Sequence, residues 1–138
     1  MTTQATLVFA IHRMTHEIAV ALERANLGVS QAEAHILAHL AENGDSTVAD
    51  IHRTFGHKRS TLTSILDRLE TRQLIERALN ARDRRSLLVK LTDSGKPVAR
   101  AVRAWMRRLE NDVMAQLTSE QLSAFEAFTG AVQRATQS

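Results

Sequence analysis

The chain has 138 residues, of which 43% are hydrophobic and 24% charged, a composition typical of one globular domain. It contains no cysteine, which excludes disulfide scaffolds, thiolate zinc sites and cysteine nucleophiles. No stretch approaches the roughly 20 apolar residues of a membrane-spanning helix, and no secretory signal is apparent. We therefore expect a single domain over residues 1–138 that works in the cytoplasm, without a membrane partner.

The formal net charge of +3 is unevenly distributed along the chain. Between Arg53 and Arg108 there are 15 Lys and Arg residues against 5 Asp and Glu, whereas the remainder carries 3 basic and 10 acidic residues. Fifteen of the 18 basic residues are arginine, whose planar guanidinium pairs with phosphates and base edges in fork geometry. Charge alone fits a solvated surface equally well, but this layout is typical of a nucleic-acid binder with separate assembly elements.

The first two predicted elements are helices, in keeping with a chain that has five glycines and one proline. Apolar residues with a 3.6-residue period predict a long helix from Leu7 to Ala25. Other apolar side chains, such as Phe9, lie off the main stripe and indicate a second apolar face for another subunit. Ser30 to Glu33 form a capping box that opens a second helix, which ends at Asn43-Gly44.

The next two helices form a helix-turn-helix pattern. Thr47 is predicted to cap a short helix over Val48 to Phe55, which stops at Gly56. A fourth helix is predicted from Lys58 to Arg72, with Leu62 and other apolar residues facing inward. Helices of about eight and fifteen residues joined by a tight glycine-containing turn are typical of DNA-binding helix-turn-helix units.

The apolar period then changes from 3.6 to 2. Alternation predicts two strands, built on Ile75, Arg77 and Leu79 and on Leu87, Val89 and Leu91. The polar turn between them, residues 80–85, gives the hairpin a basic tip. Thr92 or Ser94 is predicted to cap a long fifth helix, and Pro97 favours a start nearer Ser94. Thr118 to Gln121 form a second capping box, which opens a last helix with Leu122, Phe125, Phe128 or Thr129, and Val132 inward.

Two stretches carry a more specific signal, LDRLETRQLIER (66–77) and DRRSLLVKLTDSG (83–95). Together they resemble the MarR family of bacterial transcriptional regulators. The resemblance implies a mainly α fold with a small β-hairpin: a winged helix-turn-helix core over about residues 30–95, flanked by dimerisation helices over about 5–26 and 96–136. It also implies a homodimer that binds double-stranded DNA at a pseudo-palindromic operator, as a repressor released by a small-molecule effector. No enzyme motif and no cofactor are expected.

Candidate DNA-contacting residues lie at the start of the fourth helix and in the hairpin turn. They are Lys58, Arg59, Ser60, Thr61, Thr63, Ser64, Arg82, Arg84 and Arg85. Arg59 is assigned to guanine readout, because a guanidinium pairs with the O6 and N7 atoms of that base. Arg84, together with Arg82, is assigned to the minor groove. The family pattern Asp-x-Arg implies that Asp83 pairs with Arg85 and shapes the wing.

Three features leave alternatives open. His12/His16 and His35/His39 are spaced i, i+4 on helices, which is compatible with a metal-responsive regulator, although we expect no metal site and titration near a pKa of about 6.5. A winged helix that binds protein instead of DNA is a further alternative. Gln73 stands where the family pattern has a glycine, and we expect a different helix cap or some strain there.

Overall fold

The computed structural model describes residues 5–137, with side chains from Leu7 onward. The elements follow in the order α1 (Ala5–Arg24), α2 (Gln31–Asn43), β1 (Ser46–Thr47), α3 (Val48–Phe55), α4 (Arg59–Thr71), β2 (Ile75–Leu79), β3 (Leu87–Leu91), α5 (Gly95–Met114) and α6 (Ser119–Thr136). The predicted order of four helices, a hairpin and two helices is confirmed. The addition is β1, two residues long and too short to produce a periodic pattern.

Local capping fixes where most of the helices begin. Ser30 and Glu33 form the predicted capping box of α2, and Thr118 and Gln121 form that of α6. Thr47 does more than the expected capping, since its N–H is also satisfied by the Asp50 side chain in a complete box. The regular part of α5 begins at Gly95, as Pro97 indicated, while the Thr92 hydroxyl accepts the Gly95 N–H at 2.9 Å.

The core lies where the helix-turn-helix packs on a three-stranded antiparallel sheet of order β1-β3-β2. The hairpin register pairs Ile75 with Leu91, Arg77 with Val89 and Leu79 with Leu87. Fully buried side chains come from α2, α3, α4, the sheet and α5, and they include Ile36, Leu37, Ile51, Leu62, Leu66, Leu69, Ile75, Val89 and Val102. This packing fixes α4 and the hairpin on one scaffold.

A close backbone approach joins the end of α4 to the start of α5. A Cβ atom on Gly95 would lie 1.9 Å from the Leu74 carbonyl oxygen, so only glycine fits there. That same carbonyl accepts the Thr92 N–H at 3.1 Å, and the Thr92 hydroxyl donates to the Gln73 carbonyl. The hairpin is therefore clamped at its base by contacts between its two ends.

Two compact units are present, one ending at Arg103 and the other beginning at Ala104. In the first, α1 buries only Leu22 of the side chains described, so most of its apolar stripe, including Met14 and Ile18, is exposed. In the second, α6 has no buried residue, and Phe125 and Val132, predicted to face inward, are exposed. Among the described helices, none combines the length and the apolar character required to cross a membrane.

Gln73 adopts the left-handed conformation that glycine favours, with φ 61°. The Leu74 N–H donates to the Leu69 carbonyl and the Gln73 N–H to the Glu70 carbonyl, which is the Schellman pattern. Of the two expected outcomes, a different cap or strain, the structure shows strain: the ordinary left-handed cap is kept with a side chain that disfavours it.

Replacing Gln73 by glycine is expected to raise the free energy of unfolding by about 1 kcal/mol, because the steric cost at positive φ is removed. Urea denaturation of the two proteins measures the difference. Gln73→Ala is the matched control, since it shortens the side chain but keeps the Cβ atom, and it should give no such gain. Equal stability of the glycine variant and the parent would contradict the interpretation.

Candidate nucleic-acid interface

The N-terminal turn of α4 is open to solvent and positively charged. The backbone N–H groups of Arg59, Ser60 and Thr61 have no intrahelical partner, as in the first turn of any helix. The N-cap residue Lys58 makes no side-chain capping hydrogen bond, so it does not satisfy them. Lys58 and Arg59 are exposed, and their side chains form no ion pair with the described residues. Leu62 is buried, as predicted, and anchors the helix. The free N–H groups and the positive end of the helix dipole favour an anion here.

The hydroxyl residues of α4 fall into two groups. Thr63 and Ser64 each donate a hydrogen bond to the carbonyl four residues earlier, so these hydroxyls present lone pairs, not protons, to a ligand. The exposed Ser60 and Thr61 side chains make no hydrogen bond within the described part of the chain. All four lie in the first turns of the helix, where a recognition helix enters the major groove.

The wing tip between β2 and β3 is an ordered turn. Asn80 Oδ1 accepts the Arg82 N–H at 3.1 Å, and Asp83 Oδ1 accepts the Arg85 N–H at 3.1 Å. The Arg85 Nε–H also reaches Asp83 Oδ1 at 3.4 Å, so the implied pair of Asp83 and Arg85 is in contact. Arg82 and Arg84 are exposed, and their guanidinium groups make no ion pair with the residues that the structure describes.

Arg77, which the sequence pattern indicated only as a strand residue, contacts α4. Its guanidinium reaches Asp67 Oδ1 at 2.7 Å and Glu70 Oε1 at 2.9 Å. The backbone N–H of Arg77 also donates to the Glu70 carboxylate. The hydrogen bond from Arg77 lowers the pKa of Glu70, and the two carboxylates raise the pKa of Arg77. The pair therefore stays ionised near neutral pH and ties the wing to the recognition helix.

Three histidines surround Phe55 at the helix-turn-helix turn. The ring centroids of His35, His39 and His57 lie 6.2, 5.6 and 6.1 Å from that of Phe55. The Nδ1 atom of His57 is enclosed without a hydrogen-bond partner among the described residues. Burial, and next the charge of His57, lower the pKa of His35. The expectation of an unperturbed pKa near 6.5 is therefore wrong for His35, because packing around the turn removes its water.

The histidines of the two i, i+4 pairs differ in their exposure and in their partners. His12 and His16 are exposed on α1, whereas His35 and His39 are half-buried. His39 contacts the Asn43 amide at 3.1 Å and the Ser46 hydroxyl at 3.3 Å, so its ring nitrogens have local partners. Across the described residues, no three side chains of the His, Cys, Asp and Glu types are brought together as a metal-binding group. The i, i+4 spacing alone is insufficient, because the third ligand must come from another element.

Fold and interface together define a winged helix-turn-helix protein. The model of the MarR family matches residues 27–86, from the loop before α2 to the wing. The HTH-type transcriptional repressor MdtR of Bacillus subtilis is 34% identical over 95 residues, which make up 69% of this chain and 61% of that protein. Residues 27–86 therefore match the MarR family, and the chain is similar to its transcriptional regulators. It spans less than two thirds of the length of MdtR.

Solved structures share the fold over nearly the whole chain. The S. aureus MepR–DNA complex matches with a TM-score of 0.78 and 23% identity, over 98% of this chain and 99% of that one. NMB1585, a MarR family regulator from Neisseria meningitidis, matches with a TM-score of 0.82 and 20% identity, over 99% and 95% of the two chains. At these identities the comparison establishes the architecture.

Acidification below pH 6.5 is expected to destabilise the folded chain through His35. Its pKa is lowered on folding, so the folded protein binds fewer protons than the unfolded one, and stability present above pH 6.5 is lost as the pH falls through the folded pKa. Denaturation at pH 7.5 and 5.5 should show a smaller loss in His35→Gln than in the parent. The exposed His16→Gln control should match the parent, and an undiminished loss in His35→Gln would contradict this assignment.

Proposed function

We propose that the chain is a sequence-specific, DNA-binding transcriptional regulator that acts in the cytoplasm as a homodimer, with helices near its two ends forming the dimer contacts. The observation that carries the proposal is a division among the arginines. Arg77 is neutralised by two carboxylates, whereas Arg59, Arg82 and Arg84 are exposed and form no ion pair with the described residues. The start of α4 and the wing tip are therefore two positively charged surfaces that a polyanion can neutralise.

The two elements present different chemistry to DNA. The first turn of α4 offers Arg59 for a guanine edge, and the hydroxyls of Ser60 and Thr61 for bases or phosphates. The wing offers Arg82 and Arg84 for the narrow minor groove, while Asp83 holds Arg85 at the tip. A winged helix that binds only protein has no evident use for this set of unpaired arginines, which favours the DNA-binding function over that alternative.

Repression and its release by an effector are the finer parts of the proposal. MdtR is a transcriptional repressor by name, and we extend that mode of action to this chain. A cleft between α3 and α4 is lined by Val48, Ala49, His52, Arg53, Arg59, Leu62 and Thr63. A small molecule bound there would contact Arg59 directly and compete with its base contact, so the cleft is the place we propose for an effector.

Arg59→Ala is expected to lose discrimination at one base pair in each half-site, at a cost of about 1–3 kcal/mol. Arg84→Ala should instead weaken binding across sequences and reduce the dependence of log K on log salt by about one unit. Sites selected from random DNA, followed by salt titrations of both variants, measure these effects. Base preference that survives Arg59→Ala but disappears in Arg84→Ala would reverse the assigned roles.

The protein is expected to be a dimer, because large apolar side chains of α1 and α6 are exposed, with Phe9 66% and Phe125 60% accessible. Light scattering at micromolar concentration should report about twice the chain mass. Met14→Glu, on the exposed stripe of α1, should raise the dissociation constant of the dimer at least about a hundredfold by burying a charge. Glu17→Gln, off that stripe, is the control. A monomeric parent that binds DNA tightly would refute the dimer.

A further inference from the structure

Two leucines lie uncovered at the outer end of the wing. Leu79 ends β2 and Leu87 begins β3, and the hairpin register places them directly opposite each other. Leu79 is 67% exposed and Leu87 43% exposed. Two large apolar side chains that face each other across a strand pair and remain in water form a small apolar surface, whose exposure favours contact with another molecule.

The leucine pair shares the face of the hairpin that is turned toward α4. Side chains alternate along a strand, so Leu79 lies on the same face as Arg77 and Ile75. Ile75 is buried in the core, and Arg77 extends to Asp67 and Glu70 of α4. From the base of the hairpin to its tip, this face carries first a buried core residue, then the ion pairs of Arg77, and last the two leucines. No other part of the described chain covers the leucines.

Charge on either side of the leucines is of opposite sign. On the core side, Asp67 and Glu70 outnumber the one guanidinium of Arg77, which leaves a formal charge of −1. On the tip side, three arginines stand against Asp83, which leaves +2. A phosphate is attracted to the tip and repelled from the ion pairs, so the surface between them suits an uncharged, apolar part of a polyanion.

The turn also makes the leucines and the tip one ordered unit. The Asn80 N–H donates to the Ser86 carbonyl at 3.1 Å, and the side chains of the same two residues are joined at 3.2 Å. The Ser86 N–H donates to the Asp83 carbonyl. Because these bonds close the turn immediately above the leucines, a contact on the leucines sets the position of the arginines at the tip.

We propose that Leu79 and Leu87 form a contact surface for the deoxyribose groups of one DNA strand, at the edge of the groove that the wing arginines enter. The inference rests on the proposed DNA-binding function. The sugars carry C–H groups between the phosphates, and they match an apolar surface with cations on its outer side. A second wing is a poor occupant, since its own arginines would be repelled by those at this tip.

The test separates apolar contact from charge neutralisation. A DNA fragment selected from random sequence by the unmodified protein is titrated with the double variant Leu79→Ser/Leu87→Ser over a range of salt concentrations. We expect affinity to fall about tenfold at every salt concentration, since apolar area is lost, while the slope of log K against log salt stays unchanged. Arg84→Ala, in the same assay, should reduce that slope by about one unit.

Controls address folding and self-association. Ala78→Ser changes the opposite face of β2 and should bind like the parent, and the double variant should unfold at the parent's urea midpoint because its leucines are exposed. Unchanged affinity of the double variant, or a slope reduced as in Arg84→Ala, would overturn the contact between the leucines and deoxyribose but leave the proposed DNA-binding function standing. A lower mass of the double variant by sedimentation without DNA would assign the leucines to an interface between copies. Absence of DNA binding by the unmodified protein would refute the proposed function as well.

Discussion

The geometry of the interface depends on one guanidinium, that of Arg77, placed between two carboxylates of α4. Because Asp67 and Glu70 lie on the exposed side of the recognition helix, both bonds hold that helix against the wing. The fork geometry of arginine allows two carboxylates to be met at once, which a lysine ammonium cannot do with the same directionality. Buried Ile75 and Val89 attach the hairpin to the shared core, and the ion pairs of Arg77 add a polar attachment nearer the tip.

At the base of the hairpin, three residues adopt constrained arrangements that hold α4, the hairpin and α5 together. Gln73 accepts an unfavourable φ so that the chain can turn directly from α4 into β2. A residue without a side chain is required at Gly95, because α5 starts directly against the Leu74 carbonyl. Thr92 bonds to both sides of the junction. Each is a local cost that the shared core offsets, and the result is a fixed relation between the two elements that carry the unpaired arginines.

Local patterns in the sequence were sufficient for the helices and the hairpin, although not for the short strand β1. Capping boxes depend on residues three apart, as with Ser30 and Glu33, and helix and strand periods depend on near neighbours. The pairing of Asp83 with Arg85, which the family resemblance implied, is also a local contact between residues two apart in one turn. The candidate residues at Arg59 and Arg84 were likewise found from the order helix, turn, helix, basic hairpin, since that order by itself places them on the exposed ends of α4 and the wing.

Tertiary structure decided what depends on residues distant in sequence. In the sequence, Arg77 is one charged strand residue within a basic region. Only the packing of β2 on α4 brings it into contact with the carboxylates of Asp67 and Glu70. The short strand β1 forms because it pairs with β3, so no hydrophobic period in the sequence could predict it. His35, His39 and His57 are drawn around Phe55 by the turn between α3 and α4, and the resulting burial, not the identity of the residue, lowers the pKa of His35. A sequence specifies which groups are available, whereas desolvation and pairing depend on which of them the fold brings together.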